Sequence, residues 1–300
     1  MYSQSWIMCL ILIFSLTSLA TAVDVKKPQA YNLSNELPTL NTVDIVEILT
    51  LVDNYIDILL PSTDMANRPL AVKQGTITNN TLLAEHGLAI LVTVHSGGEN
   101  HTVLFDTGYS SVALPHNLKY LGIENQSIEA IVLSHGHNDH TGSLEYLINQ
   151  FDQPLKVVAH PDAFMAPRYF GLPNGVKILF PELKKEILEK DNVELIESKN
   201  PYLLANDTIL VSGQIERTTP FEKGMPNALV EKDGQFVQDP ILDDQALIVN
   251  LGQRGLVIIS GCAHAGIINT VRHAMNITGQ PHVAAVLGGF LDWPVIRANH

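Results

Sequence analysis

Cysteine is almost absent from this chain, with two in 300 residues. Cys9 lies in an apolar N-terminal run and Cys262 stands alone near the other end. Once that run is removed, the single remaining thiol cannot form an internal bridge. Basic side chains are also scarce: 18 Lys and Arg face 31 Asp and Glu, a net charge of −13. A surface that tracks phosphates needs a basic excess, so no nucleic acid and no anionic membrane is expected as a general partner. No Lys or Arg precedes the first apolar run, and no later stretch is long and apolar enough to cross a bilayer. No internal repeat or low-complexity tract stands out.

The 46% hydrophobic content is enough for a large core, in one large domain or two small ones. Trp6 to Leu19 is almost wholly apolar but too short for an ordinary span, and Leu19-Ala20-Thr21-Ala22 offers small residues at the spacing of a signal-peptide cleavage site. The expectation is a signal peptide over 1–22 cut after Ala22, and a secreted or periplasmic protein. An uncleaved anchor is the competing reading, because the positive charge before the run is only the α-amino group. Six Asn-x-Ser/Thr sequons, at Asn32, Asn79, Asn100, Asn125, Asn206 and Asn276, fit a glycosylating pathway. Residues 23–42, with Pro28 and Pro38, read as a linker, and 43–300 as the folded domain.

Strands are expected at Ile45 to Val52, Gly87 to Val94 and Thr102 to Phe105, the last two joined through Ser96-Gly97-Gly98-Glu99-Asn100 as a hairpin. Ser110 to Leu121 has the spacing of a helix, Ile128 to Leu133 that of a buried strand, and Thr141 to Phe151 that of a second helix. Leu155 to Ala159 follows as a strand, Pro181 to Lys190 as a charged helix, and Val193 to Ile196 and Thr208 to Ser212 as strands. Thr218 to Asp239 reads as a long surface loop. Ala246 to Asn250 and Leu256 to Ile259 make a second hairpin, before a helix at Ile267 to Met275 and a strand at Val283 to Leu287. Mixed strands and helices with a hairpin in each half suit two mostly antiparallel sheets packed face to face, with helices outside.

One segment concentrates chemistry. Ser134-His135-Gly136-His137-Asn138-Asp139-His140 follows directly on the strand at Ile128 to Leu133. Neutral imidazoles and a carboxylate are the ligands that zinc and similar borderline cations prefer. The spacing suggests two positions, one held by His135 and His137 and a second faced by Asp139 and His140. Such a metal would polarise an ester, amide or phosphoryl oxygen and lower the pKa of bound water from about 16 towards about 7.

The His135-Gly136-His137-Asn138-Asp139-His140 pattern resembles the signature of the metallo-β-lactamase superfamily. Val103-Leu104-Phe105-Asp106-Thr107-Gly108 is similar to the strand-end aspartate motif that precedes the metal loop there. Glu85-His86-Gly87-Leu88, Asp244-Gln245-Ala246-Leu247, Gly261-Cys262-Ala263-His264-Ala265-Gly266-Ile267 and Gly288-Gly289-Phe290 resemble one branch of it, the dihydropterin-ribofuranosyl-aminobenzene-phosphate synthase-like metallo-hydrolases. The resemblance implies an α/β (α+β) fold of four αββα layers, two divalent metal ions and a small-molecule substrate. It also implies that Asp139 orients the attacking water or accepts its proton. Two departures follow from it: Leu291 stands where the branch has a histidine after Gly-Gly-Phe, and the sequence reaches His300 without the branch's late His-Cys-Thr-Gly-type motif. Either the sequence is a fragment with its C-terminal part truncated or part of the site is lost, and incomplete coordination is the resulting expectation.

The remaining candidates carry paired readings. Asp106 either caps a turn or accepts a hydrogen bond from a ligating histidine. His264 is a ligand or a helix cap, and Cys262 a ligand or a small buried hydrophobe. His160 is a ligand or a substrate contact, and His86 lines the pocket or is a further possible ligand. The function expected is an exported metal-dependent hydrolase or related transferase. The alternative is a catalytically weak binding protein on the same fold.

Overall fold

The computed structural model describes residues 38–290 apart from 65, 70, 71 and 74. The expected signal peptide and cleavage site, most of the linker, Leu291 and His300 lie outside the described residues. Two sheets carry the fold. The first orders its strands Ile45–Val52, Ala89–Ser96, Glu99–Phe105, Ala130–Val132, Leu155–Ala159 and Val193–Glu197. The second orders Tyr202–Leu204, Ile209–Val211, Ala246–Asn250, Leu256–Ser260 and Val283–Gly288.

The continuous apolar runs have a simple cause: both faces of these strands are covered, and alternate residues enter different cores. From the first sheet, Ile90, Val92, Val103, Phe105, Val132 and Val158 meet Ile209, Val211, Leu247, Val249, Val257 and Ile259 of the second. Leu91, Leu104, Ile131 and Val157 turn outward, onto Leu114, Leu118, Leu144 and Ile148 of the helices on that side. Leu210, Ile248 and Ile258 point the other way, onto Ala274 and Ile277 of the helix Ile267–Thr278. The result is the expected four-layer αββα sandwich.

The first sheet is less antiparallel than expected. Only its first two pairings are antiparallel, and the next three are parallel. Parallel neighbours need crossovers; the helical segments Ala113–Leu121 and Leu144–Ile148 supply the first two, and the third runs through the strands Arg168–Gly171 and Lys177–Leu179. The first helix begins at Ala113, later than expected, so that Pro115 falls in its first turn, where a missing N–H breaks no helical bond. The second is split into Asn138–Thr141 and Leu144–Ile148. Gly142 lies at the break, and a Cβ there would sit 1.8 Å from the Tyr109 carbonyl oxygen.

Two expectations are corrected. Pro181 to Lys190 is not a helix; only the turn Lys185–Leu188 forms, because Leu183 and Leu188 are both drawn into the outer core with Lys184 extended between them. Thr218 to Asp239 is not a plain loop. It contains the hairpin Ala228–Lys232 and Gln235–Gln238, closed by Asp233 and Gly234 at φ 52° and 74°, the signature of a two-residue type I′ turn. This hairpin joins Arg168–Gly171 and Lys177–Leu179 in a small four-stranded sheet, whose inner face packs Phe170 and Ala228 with Phe180, Met225 and Ile241. No helix among the described residues is long and apolar enough to cross a membrane.

Candidate metal centre

The strands Glu99–Phe105, Ala130–Val132 and Leu155–Ala159 are parallel neighbours, with Phe105 opposite Val132 and Val132 opposite Val158. Asp106, His135 and His160 therefore leave the sheet along one edge. The strand Leu256–Ser260 of the second sheet delivers Gly261-Cys262-Ala263-His264 to the same edge. The two loops touch closely enough to exclude a side chain at Gly261, whose Cβ would fall 2.2 Å from Ser134 Oγ. Ala263 takes a left-handed φ of 54°, a strained state for a residue with a Cβ, between the two candidate ligands of this loop.

Three ring nitrogens converge. His135 Nε2 lies 3.0 Å from His137 Nδ1 and 3.2 Å from His264 Nε2. His135, His137 and His264 form one group that could hold a metal ion, and His135, His140 and Cys262 form another. His135 thus stands between the two, where the sequence suggested separate pairs. The second group has His140 Nε2 3.1 Å from Cys262 Sγ. Asp139 lies at its margin, with Oδ2 3.5 Å from His140 Nε2 and 3.5 Å from His86 Nε2.

Hydrogen bonds fix how these rings point. Asp106, itself left-handed at φ 61°, accepts from Ser134 N–H at 2.6 Å, from the Ser134 hydroxyl at 2.7 Å and from His140 Nδ1 at 2.6 Å. Ser134 has one hydroxyl hydrogen, spent on the carboxylate, so its oxygen must accept from His135 Nδ1 at 2.9 Å. That leaves the lone pair of His135 Nε2 facing His137 and His264. Asp106 thereby supports two rings at once, one directly and one through Ser134.

Electrostatics suit a cation. Burial, then the neighbouring imidazoles, holds His135 well below its ordinary value, and burial, then His264 and Arg168, does the same for His137. Burial, then His140, brings His264 down to about 4. All three are neutral, as ligation requires. His140 and Cys262 form one coupled pair. Burial opposes charge on His140, but Cys262 and Asp106 outweigh it and raise the ring well above its ordinary value.

The donor set fits zinc. In a tetrahedron with Zn–N bonds of about 2.05 Å, ligand nitrogens stand about 3.3 Å apart, close to the separations seen here. His137 Nε2 is buried and has no hydrogen-bond partner among the described residues, and the polar contact of this ring is through Nδ1, 3.0 Å from His135 Nε2. Phe180 packs on it with ring centroids 4.9 Å apart.

The tripeptide Asp243-Asp244-Gln245 ties the two ligand loops together. Asp243 accepts from Gly136 N–H at 2.7 Å and from both Arg168 terminal nitrogens, at 2.9 and 2.6 Å. Gln245 donates its backbone N–H to Ser134 O and its side chain to Leu133 O. Asp244, between them, points the other way and accepts from Ala265 N–H at 2.7 Å. Burial pushes Asp244 up to about 7 despite that bond. Asp244 and Gln245 belong to a motif singled out in the sequence. Ser134, Asp243, Arg168 and Phe180 were missed there. An acidic pair before a strand was the only local sign of Asp243, and Arg168 is 75 residues from its partner.

His160 is not brought into either group. Its Nδ1 accepts from Asp162 N–H at 3.0 Å and its Nε2 lies 3.3 Å from Gln214 Oε1, so the ring caps the turn that follows. A cavity of about 310 Å³ opens elsewhere, around Ser96, Glu99 and His101 at the opposite strand ends, and no candidate ligand lines it.

A metallo-β-lactamase superfamily model matches residues 84–216. An uncharacterized protein of Methanocaldococcus jannaschii is 36% identical over 211 residues, 69% of this chain and 73% of that protein. A second protein of that organism, named 7,8-dihydropterin-6-methyl-4-(beta-D-ribofuranosyl)-aminobenzene-5'-phosphate synthase, is 33% identical over 220 residues, 71% of this chain and 72% of its own length. The solved structure of Tm1679, described as a metal-dependent hydrolase of the beta-lactamase superfamily, matches with a TM-score of 0.54 at 25% identity, over 81% of this chain and 75% of that one. Fold and site define a protein of the αββα class with side-chain groups that could bind a metal. The chain belongs to the metallo-β-lactamase superfamily.

Proposed function

We propose that this protein is an exported, zinc-dependent hydrolase, or a related group transferase, acting on an ester, phosphoester, lactone or amide bond of a small molecule. The observation that carries the reading is the convergence of His135 Nε2, His137 Nδ1 and His264 Nε2, nitrogens of three neutral, buried rings that meet one another at hydrogen-bond distance. The hydrolase reading agrees with the description of Tm1679, and the transferase reading with the name of the synthase relative.

His135, His137 and His264 would hold one metal, and His140, Asp139 and Cys262 would face a second. When bound, such ions supply Lewis acidity and acidified water. The chain's own residues do the rest. Asp106 and Ser134 keep the His135 and His140 rings in the orientation that offers Nε2. Asp139, with Oδ2 at the open side of the centre, accepts and passes on a proton. Phe180 and the apolar cluster behind it exclude water beside His137.

The test is metal content of the purified protein, together with turnover of a generic phosphodiester and a generic lactone before and after chelation. Bound zinc and chelator-sensitive turnover are expected, and His137→Ala should lose metal and turnover together. Turnover that survives His137→Ala or full chelation would overturn the reading. For export, the secreted mature chain should begin at Val23; retention of residues 1–22 would refute cleavage.

A further inference from the structure

We propose that His86 is the outer donor of the second metal position, completing it from the first half of the chain beside Asp139 and His140; this rests on the function proposed above. The segment that carries His86 is fixed on both sides. Glu85 accepts from Tyr109 N–H and Ser110 N–H, each at 3.1 Å, and from the Ser110 hydroxyl at 2.5 Å. Gly87, at φ 129°, donates to Asn54 Oδ1 at 2.9 Å. A Cβ on Gly87 would lie 2.3 Å from the Asp139 carbonyl oxygen, and Leu88 N–H donates to that same oxygen at 3.2 Å. Both neighbours of His86 are thus spent on holding the backbone against the start of the Asp139 segment. His86 is the residue left with a free side chain.

That side chain points its Nε2 at Asp139. Asp139 Oδ2 stands 3.5 Å from His86 Nε2 and 3.5 Å from His140 Nε2. This is long for a hydrogen bond. Each separation taken singly matches the spacing of about 3.3–3.6 Å between two donors that share a four-coordinate cation with bonds of about 2.0–2.2 Å, and because His86 belongs to neither of the groups whose donors already converge, its ring would swing inward on binding. The His86 side chain is 62% exposed, whereas His135, His137, His140, Cys262 and His264 are all buried. The second position therefore opens to solvent, and to substrate, on the His86 side, next to the Tyr109 ring.

The test is equilibrium titration of the metal-free protein with Co²⁺ against a chromophoric chelator, following stoichiometry and the visible Co²⁺ spectrum, for wild type, His86→Ala and His86→Ala with free imidazole. Wild type should bind two ions. His86→Ala should keep the tighter one, weaken the other at least tenfold with a changed spectrum, and recover it with imidazole. Circular dichroism of the metal-free variant should match wild type, because the ring is exposed. Two ions bound by His86→Ala with unchanged affinities and spectrum would overturn the proposal and leave the proposed function standing. A wild type that binds one ion would do the same, and a wild type that binds none would overturn both.

Discussion

Replacing Gly261 with alanine tests whether the closeness of the two ligand loops is what builds the centre. The added Cβ would lie 2.2 Å from Ser134 Oγ, 2.7 Å from Ser134 Cβ and 3.3 Å from Asp106 Oδ2. The first distance is about 1.2 Å short of ordinary contact, and neither neighbour can yield, because Ser134 is tied to Asp106 by two bonds and Asp106 to His140 by a third. The loop of Cys262 and His264 must retreat instead. Cys262 then leaves His140 and His264 leaves His135, where a metal site tolerates only a few tenths of an ångström, about 0.2 Å per bond. Overpacking should cost about 1–3 kcal/mol of fold stability. Metal affinity should fall about 10–100-fold, as it does when supporting contacts of a ligand are lost. Chelator competition measures the second figure, and urea denaturation of the metal-free protein the first. Gly122→Ala is the control: nothing lies within 4 Å of its Cβ, so only its φ of 69° is strained and metal affinity should stay at the wild-type value. A Gly261→Ala protein that binds metal as tightly as wild type would refute the argument.

Asp244→Ala should lose about 1–3 kcal/mol in urea denaturation by leaving the Ala265 N–H without its acceptor. Asp244→Asn keeps an acceptor oxygen in a site that already favours the neutral acid, and should stay within about 1 kcal/mol of wild type; equal losses in both variants would contradict the staple. The metal-free protein should be acid-labile. With His264 held at about 4 and His135 and His137 well below their ordinary value, the unfolded chain binds protons below pH 6.5 that the folded state refuses. Stability then falls as pH falls through that window, by about 3 kcal/mol from His264 alone. Asp244 works in the opposite sense: raised from 3.8 to about 7, it adds stability at low pH that is lost as pH rises through 7, and offsets about one histidine. His140, raised, is protonated in both states below pH 6.5 and adds no slope there. Tm of the metal-free protein should drop between pH 7 and 4; a flat profile would contradict the neutral, buried assignment of His135 and His137.

The parts that the sequence made legible share a physical cause. Ile131 and Val132 face two different cores, so their strand had to be apolar throughout. The turn at Gly97 and Gly98 needs positive φ at both residues, and the sequence supplies two glycines there. The metal loop was visible because its donors are neighbours in the chain. The hairpin at Asp233-Gly234 was missed for the converse reason: Gln235–Gln238 is exposed on both faces, so no alternation betrays a strand, although Asp-Gly alone signals the turn. The expected helix at Pro181 to Lys190 failed because two leucines five residues apart were claimed by one core. Asp243 and Arg168, and Ser134 in its contact with Asp106, act on partners far along the chain, and spacing holds no trace of such contacts. His160 sits at the right strand end, but a local N–H claims its ring.

His135 and His264 are 129 residues apart in sequence and 3.2 Å apart in space. A growing chain exposes His135, His137 and His140 while Cys262 and His264 do not yet exist. Until the second sheet docks, an ion meets half of its donors, and a half-built claw releases what it catches. Mineral capture would therefore be the last act of maturation, and the cargo, once seated, would clasp the first sheet to the second.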